Sequence, residues 1–149
     1  MFKALDDLGN PSIYISGIQL SQFYGIEIDD FAQEIAILSL WLTENQMNKV
    51  FEKEFGYLEP MLPLKASGNI VHGNALKLDW KELCPKSDEQ GELEVYIFGN
   101  PPFLGHGKRS KEQLSEILNT LDFCKTPKLL DYVCCWFVLA TNYIKGTKN

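Results

Sequence analysis

A nine-residue stretch, Val95-Tyr-Ile-Phe-Gly-Asn-Pro-Pro-Phe103, constrains this chain more than any other part of its sequence. Its first four residues are apolar and turn formers follow them, a pattern that predicts a short buried strand over Val95–Phe98. Proline fixes its own φ and holds the preceding residue extended, so Asn100 and Pro101 are both restricted. Neither proline has an N–H, which leaves nearby carbonyls open to a ligand. An open α/β sheet binds its ligand at such a strand tip, whereas the plainer interpretation is a strand that ends in a turn.

The composition is that of a globular protein. A chain of 149 residues can form one core, and a hydrophobic content of 45% with 12% aromatic residues excludes a disordered chain. No apolar run reaches the roughly 18 residues of a membrane span, and the amino terminus has no signal-peptide core. The four cysteines have neither metal-ligand nor disulfide-framework spacing. We therefore predict a single cytoplasmic domain over residues 1–149, with reduced thiols, no membrane association and no metal.

The net charge of −6 conceals an asymmetry along the chain. Residues 1–100 hold 7 lysines against 16 acidic residues, and residues 101–149 hold 7 basic against 4 acidic residues. The acidic first part will not hold nucleic acid by itself, because phosphate neutralisation supplies most non-specific affinity. The basic cluster of Lys108, Arg109 and Lys111 either contacts a phosphate backbone or is a solvated start of a helix.

Short apolar runs alternate with amphipathic runs, which predicts a mostly parallel α/β sheet with flanking helices over residues 21–149, after an irregular lead-in over residues 1–20. Two capping-box patterns mark helix starts, with Gln33 three residues after Asp30 and Gln113 three residues after Ser110. The predicted elements are strands at Phe23–Ile28, Ile70–His72 and Val95–Phe98, a helix that Asp29 or Asp30 caps and that ends at about Asn48, a helical turn at Asp79–Leu83, and helices from Ser110 to about Leu121 and from about Lys128 to Ile144.

Three polar signals stand where predicted strands end. They are Tyr-Gly-Ile-Glu27-Ile-Asp, His-Gly-Asn74-Ala-Leu and Gly-Asn100-Pro-Pro-Phe103. In this order and at these spacings they resemble the adenine-N6 DNA methyltransferases. The similarity is greatest to large restriction–modification polypeptides that carry endonuclease, methyltransferase and target recognition in one chain. It extends from about Leu20 to Ile144 and implies a partial Rossmann-like, S-adenosylmethionine-dependent methyltransferase sheet.

The resemblance assigns catalysis to the motif that begins at Asn100. The amine of adenine is a poor nucleophile, because its lone pair is delocalised into the ring. The Asn100 side-chain oxygen and the Pro101 carbonyl would accept its two protons, so that the lone pair points at the methyl donor. Phe103 would stack on a base that has left the duplex, and Pro102 completes the predicted catalytic set.

The resemblance also implies a cofactor site. Glu27 would accept hydrogen bonds from the ribose hydroxyls of S-adenosylmethionine, as an acid at a strand end does in dinucleotide sites. Ile28 would pack on the adenine face, and Asn74, where many family members have aspartate, would read the adenine edge beside Ala75. The plainer interpretations remain open: Glu27 as a solvated strand end or an extra capping group, and Asn74 as a turn residue.

The family's glycine-rich turn, typically Asp-Pro-x-x-Gly-x-Gly after the first strand, has no counterpart in this sequence. We therefore expect an internal piece of a methyltransferase that lacks the first strand, and expect this chain alone to bind S-adenosylmethionine weakly or not at all. Strands left without that neighbour would expose unpaired backbone groups, which recruit partners. The expected partners are DNA through the complete protein, and either a second copy or the missing amino-terminal segment.

Two other functions compete with a segment of a DNA methyltransferase. A catalytically inactive remnant or interaction module would keep the fold without activity, and the missing glycine-rich turn favours it for this chain by itself. A methyltransferase that acts on protein or RNA is the third candidate. Phe103, in place of the tyrosine common in those relatives, disfavours it.

Overall fold

The computed structural model describes residues 17–55, 69–84 and 94–145. Predictions that fall on other residues, including most of the lead-in over residues 1–20, lie outside the described residues. The chain divides into two compact units, Met1–Gly73 and Asn74–Asn149. The single domain over residues 1–149 stays a prediction.

The first unit contains a parallel pair of strands, β1 (Tyr24–Glu27) and β2 (Asn69–His72). The register places Tyr24 opposite Asn69 and Glu27 opposite His72, so both strands end at the same edge. Backbone pairing continues one residue further, where the Gly73 N–H donates to the Glu27 carbonyl over 2.8 Å. Both predicted strands and their parallel arrangement are confirmed.

Gly25 leaves room for the side chain of Ile70 on the neighbouring strand. It pairs with Ile70, and a Cβ built at position 25 would lie 2.7 Å from Ile70 Cδ1. A larger residue would push the Ile70 side chain aside. The glycine in Tyr-Gly-Ile-Glu is therefore explained by packing within the pair.

Helix α1 (Asp30–Phe55) follows β1 directly. Asp29 caps it, because the Asp29 Oδ1 accepts the N–H of Ala32 over 2.8 Å. The sequence pattern predicts an end near Asn48. The helix continues to Phe55 because neither glycine nor proline interrupts this stretch and Phe51 is buried.

Gln33 connects α1 to β2. Its Nε2 donates to the Ile70 carbonyl over 2.8 Å, in a partly buried contact. The spacing predicts that Gln33 closes a capping box with Asp30, but the side-chain amide is used for this tertiary contact. A glutamine in the first turn of a helix serves either purpose, and the sequence spacing alone does not separate them.

The second unit is built around α2 (Trp80–Leu83), α3 (Lys111–Thr120) and α4 (Cys134–Ile144). Its core combines one face of α3 with the start of the α4 region, and partly buried side chains such as Leu76 and Leu104 pack against it. Burial of each large aliphatic side chain there contributes about 1.5–3 kcal/mol. The core residues are Ile117, Leu121, Tyr132 and Cys135.

The starts of α2 and α3 agree with the sequence analysis. The Asp79 side chain accepts the N–H of Lys81 over 2.8 Å, which caps the predicted helical turn. At α3 both capping-box bonds are present: the Gln113 N–H donates to Ser110 Oγ over 3.1 Å, and the Ser110 N–H donates to Gln113 Oε1 over 2.9 Å.

The last helix begins later than predicted. A short 3-10 helix occupies Pro127–Leu129, and α4 begins only at Cys134. The residues between these two helices belong to neither of them. Among these residues, Asp131 accepts the N–H groups of Leu104 and Val133 at its Oδ1. One side of α4 faces solvent, since Phe137 is exposed.

The predicted strand at Val95–Phe98 is absent. Residues 94–104 adopt no regular secondary structure, and the side chains of Tyr96 and Phe98 are 79% and 88% exposed. A strand needs a hydrogen-bonded neighbour, and among the described residues the only ladder joins β1 and β2. The prediction of a buried strand is therefore wrong for this structure.

Ser110 offers a direct test of local stability. We expect Ser110→Ala to lower the free energy of unfolding by about 1 kcal/mol, because it removes the acceptor of the capping box. Ser115→Ala, an exposed position in the same helix, is the matched control and should change stability by at most a few tenths of a kcal/mol. Urea denaturation followed by circular dichroism measures both. Equal effects of the two variants would contradict the role of the cap.

Candidate functional site

The Asn-Pro-Pro-Phe motif presents open acceptors and an open ring. Asn100 is exposed, Pro101 is half-buried and Phe103 is 71% exposed. No described residue forms a hydrogen bond with the Asn100 side chain or the Pro101 carbonyl. Two oxygen acceptors and one aromatic face are thus available to a ligand, although the buried strand predicted before them is missing.

The carboxyl end of this motif is fixed to the second unit at Leu104. The Leu104 N–H donates to Asp131 Oδ1 over 3.1 Å. In return, the Tyr132 N–H donates to the Leu104 carbonyl over 3.3 Å. Both backbone groups of the residue after Phe103 are therefore satisfied, so the motif is anchored on one side while its polar groups stay open.

Asn74 has both ends of its side-chain amide engaged. Its Oδ1 accepts the N–H of Leu76 over 2.9 Å, which is the turn of the plainer interpretation. Its Nδ2 donates to Glu116 Oε1 over 3.0 Å. Beside it, the Ala75 carbonyl accepts the indole N–H of Trp80 over 2.9 Å. Asn74 is thus both a turn residue and a member of a side-chain network.

Glu116 is the centre of that network. Its side chain is 11% exposed, and Oε1 lies 3.5 Å from Lys77 Nζ. Its Oε2 accepts the hydroxyl of Tyr132. No sequence pattern indicates this role, since a glutamate inside an amphipathic helix is ordinarily solvated, and only the tertiary structure brings its partners to it.

Tyr132 is a buried donor. Burial raises the pKa of its hydroxyl well above the ordinary value of 10.0, and the hydrogen bond to Glu116 acts in the same direction. The phenol therefore stays protonated and donates. Because the Tyr132 N–H also binds Leu104, this one residue connects the Asn-Pro-Pro-Phe motif with the carboxylate that holds Asn74.

An ion pair flanks the network on the solvent side. Lys77 and Glu112 pair closely, and the hydrogen bond between them raises the pKa of Lys77 and lowers that of Glu112. Both side chains are more than half exposed. Solvent screens such a pair, so it contributes little to stability.

Glu27 and Ile28 lie in the first unit, at the end of β1. The Glu27 Oε1 accepts the N–H groups of Ile28 and Asp29 over 2.8 and 3.2 Å, whereas Oε2 accepts no hydrogen bond from a described residue. The Ile28 side chain is 68% exposed. The ring Nε2 of His72 donates to the Ile28 carbonyl over 2.9 Å, which fixes the turn after β1.

The basic cluster separates into two kinds of residue. Lys108 and Lys111 are exposed. Arg109 is half-buried, and its guanidinium donates to the carbonyls of Leu130 and Lys128 over 3.0 and 2.8 Å. Arg109 therefore holds its loop against the 3-10 helix, a role that the sequence pattern does not reveal, while the two lysines are available to a phosphate backbone.

The described ranges contain neither a metal-binding cluster nor a membrane-spanning helix. In them, no group of three or more histidine, cysteine or acidic side chains is arranged to hold a metal ion. Cys84, Cys124, Cys134 and Cys135 are free thiols. No described helix has the length and apolar content needed to cross a membrane.

Comparison with known proteins shows the class of protein to which this chain belongs. The sequence model of the family described as "MmeI, DNA-methyltransferase domain" matches residues 2–149. The chain therefore belongs to this family of DNA-methyltransferase domains. The match confirms the resemblance to the methyltransferase part of large restriction–modification proteins.

Two relatives are similar to this chain over most of its length. The chain is 43% identical over 148 residues to DNA methyltransferase A of Bacillus subtilis (strain 168), covering 99% of this chain and 16% of that protein. A solved structure of the type IIL restriction-modification enzyme MmeI in complex with DNA matches 85% of this chain and 16% of its own chain, with 37% identity and a TM-score of 0.72. The chain thus spans about one sixth of each relative, and its mixed helix and sheet structure agrees with part of an α/β methyltransferase fold.

The buried phenol predicts a pH dependence of stability. The Tyr132 pKa is raised on folding. The contribution of its hydroxyl to the free energy of unfolding is therefore complete below the unfolded pKa of 10.0 and is lost as pH rises above that value. We expect Tyr132→Phe to be less stable than the parent chain at pH 8, and the difference to narrow between pH 10 and pH 11. Urea denaturation across this range measures it. Tyr24→Phe, which alters an exposed tyrosine, is the control, and a difference that does not change with pH would contradict the expectation.

Proposed function

We propose that this chain is the segment of a DNA methyltransferase that positions adenine for transfer of a methyl group from S-adenosylmethionine to N6, within a restriction–modification protein. Its membership in a DNA-methyltransferase domain family supports the general class. One observation carries the finer proposal. The Asn100 oxygen and the Pro101 carbonyl are uncommitted acceptors, next to a backbone that Asp131 fixes at Leu104.

The chemistry needs two acceptors of this kind. When both protons of the adenine amine are held, the nitrogen becomes pyramidal and its lone pair is freed from the ring. A bond from N6 to the methyl carbon then forms as the bond from carbon to sulfur breaks, and a proton leaves the nitrogen for solvent. Positioning and fixed dipoles supply the acceleration, so no covalent enzyme intermediate is required. The open face of Phe103 is available to stack on the extruded base.

The residues proposed to hold the cofactor have groups that fit it. Glu27 keeps one carboxylate oxygen for a ribose hydroxyl, since its other oxygen is occupied by backbone N–H groups. The exposed Ile28 side chain offers an apolar surface to a purine. The Asn74 oxygen has two lone pairs and uses one for Leu76, so it retains an acceptor for an adenine amine. S-adenosylmethionine would supply an activated methyl group.

For DNA, we propose a phosphate contact through the two exposed lysines. MmeI was solved in complex with DNA, and Lys108 and Lys111 follow the catalytic motif closely in sequence. Arg109 is assigned to holding the loop, because its guanidinium donates to two carbonyls. Binding of DNA through these two lysines is electrostatic and does not depend on the base sequence.

Asn100 is tested in a chimera in which this chain replaces the matching 148 residues of Bacillus subtilis DNA methyltransferase A. With labelled S-adenosylmethionine and DNA, we expect N6-methyladenine after digestion to nucleosides. Asn100→Ala should lower the rate by about a hundredfold or more, the usual cost of removing a transition-state hydrogen bond. Cofactor affinity should stay within about threefold, since Asn100 is assigned to the base.

The controls separate the competing functions. The unmodified relative shows that the assay works, and Asn119→Ala, an exposed asparagine on α3, should leave the rate unchanged. A folded chimera that binds DNA yet transfers no methyl group would support the inactive remnant. Label found on cytosine, protein or RNA would contradict the assignment to adenine N6.

The lysines are tested by salt dependence in the same chimera. Removal of one lysine–phosphate interaction should reduce the slope of log affinity against log salt by about 0.9. We therefore expect Lys108→Ala combined with Lys111→Ala to weaken binding to all DNA sequences alike and to reduce the slope by about 2. Lys125→Ala, another exposed lysine of the same unit, is the control. An unchanged slope in the double variant would exclude these two interactions.

A further inference from the structure

The orientation of the Asn74 amide is determined by its two partners. Leu76 offers an N–H, which only donates, and Glu116 offers a carboxylate, which only accepts. A flipped amide would place the Asn74 oxygen against the carboxylate and its NH2 against an N–H. Both contacts would then be unfavourable, so a single orientation satisfies the pair.

Glu116 can impose this orientation because it is itself held. Its side chain is 11% exposed, and the buried Tyr132 hydroxyl donates to its Oε2. Lys77 lies 3.5 Å from its Oε1, the oxygen that Asn74 also contacts. The carboxylate cannot turn without breaking hydrogen bonds in a largely buried position, where unmet acceptors are costly.

The same contact explains why an amide suits position 74 in this chain. An aspartate there would bring a second carboxylate to about the 3.0 Å that now separates Asn74 Nδ2 from Glu116. Two like charges at this distance repel strongly in a partly buried site, and one of them would have to bind a proton. Glu116 and Asn74 therefore form a matched pair.

We propose that Glu116 is a positioning residue for cofactor selection: it fixes Asn74 so that the amide oxygen faces the cofactor as an acceptor and selects a 6-amino purine over a 6-oxo purine. This inference rests on the proposed function, because it assumes that Asn74 contacts the purine. A 6-oxo purine presents an acceptor to another acceptor, which leaves both unpaired.

The test compares two probes in the chimera described above, S-adenosylhomocysteine and its 6-oxo counterpart S-inosylhomocysteine, by calorimetric titration. We expect the chimera to prefer the amino probe by about tenfold or more, the worth of one hydrogen bond. Glu116→Ala should reduce this preference by about threefold or more, because the Leu76 N–H alone then orients the amide. Glu112→Gln, which alters only the exposed partner of Lys77, should leave the preference unchanged.

A second pair of variants guards against a folding defect in Glu116→Ala. We expect Asn74→Asp alone to lower the urea midpoint of this chain, and the combination of Asn74→Asp with Glu116→Gln to restore it, since the introduced glutamine donates to the introduced aspartate. The combined variant should also keep the amino preference in the chimera, because an aspartate only accepts.

The outcomes distinguish the two proposals. A chimera that binds both probes, with a preference that Glu116→Ala leaves intact, overturns the role of Glu116 while the proposed function stands. A midpoint for Asn74→Asp that Glu116→Gln does not improve also overturns it, with no cofactor needed. A chimera that binds neither probe overturns the proposed function, and the cofactor role of Glu116 with it.

Discussion

The second unit of this chain depends on one largely buried carboxylate. Glu116 accepts from Asn74 and from Tyr132, and it lies on α3 directly before Ile117, which is fully buried. Three segments distant in sequence meet there, so the carboxylate sets the position of the turn at Asn74 relative to the start of the α4 region. Because Tyr132 also binds the Leu104 backbone, the same contacts anchor the Asn-Pro-Pro-Phe motif. A network of this kind is stabilising only when each member is satisfied, and Glu116 is the member that all others need.

Local signals in the sequence predict local structure well. The caps at Asp29, Asp79 and Ser110 are predictable because a short polar side chain at a helix start satisfies N–H groups within three residues. The paired strands follow from apolar runs bounded by turn residues. The prediction that is wrong depends on a distant partner. Val95–Phe98 has the pattern of a buried strand, yet forms none, since a strand exists only with a neighbour.

The candidate site shows the same division. Its motif residues are predictable, because Asn100, Glu27 and Asn74 stand at recognisable positions beside turn formers. The roles of Glu116 and Asp131 are not predictable. Glu116 binds Asn74 and Asp131 binds Leu104, and in each case the two partners lie more than twenty positions apart in the sequence. Arg109 illustrates the converse case. Its basic context is compatible with a phosphate contact or with a solvated helix start, whereas the guanidinium donates to two backbone carbonyls.

The side-chain amide of Asn74 reports on the central network most directly. In an NMR spectrum of the ¹⁵N-labelled chain, we expect one Asn74 Nδ2 proton to be shifted downfield and to exchange slowly with solvent, because it donates to the Glu116 carboxylate. Glu116→Ala should abolish both features, and Glu112→Gln should preserve them. Identical Asn74 signals in the parent chain and in Glu116→Ala would show that the carboxylate does not hold the amide, and would contradict the network on which the second unit and the candidate site depend.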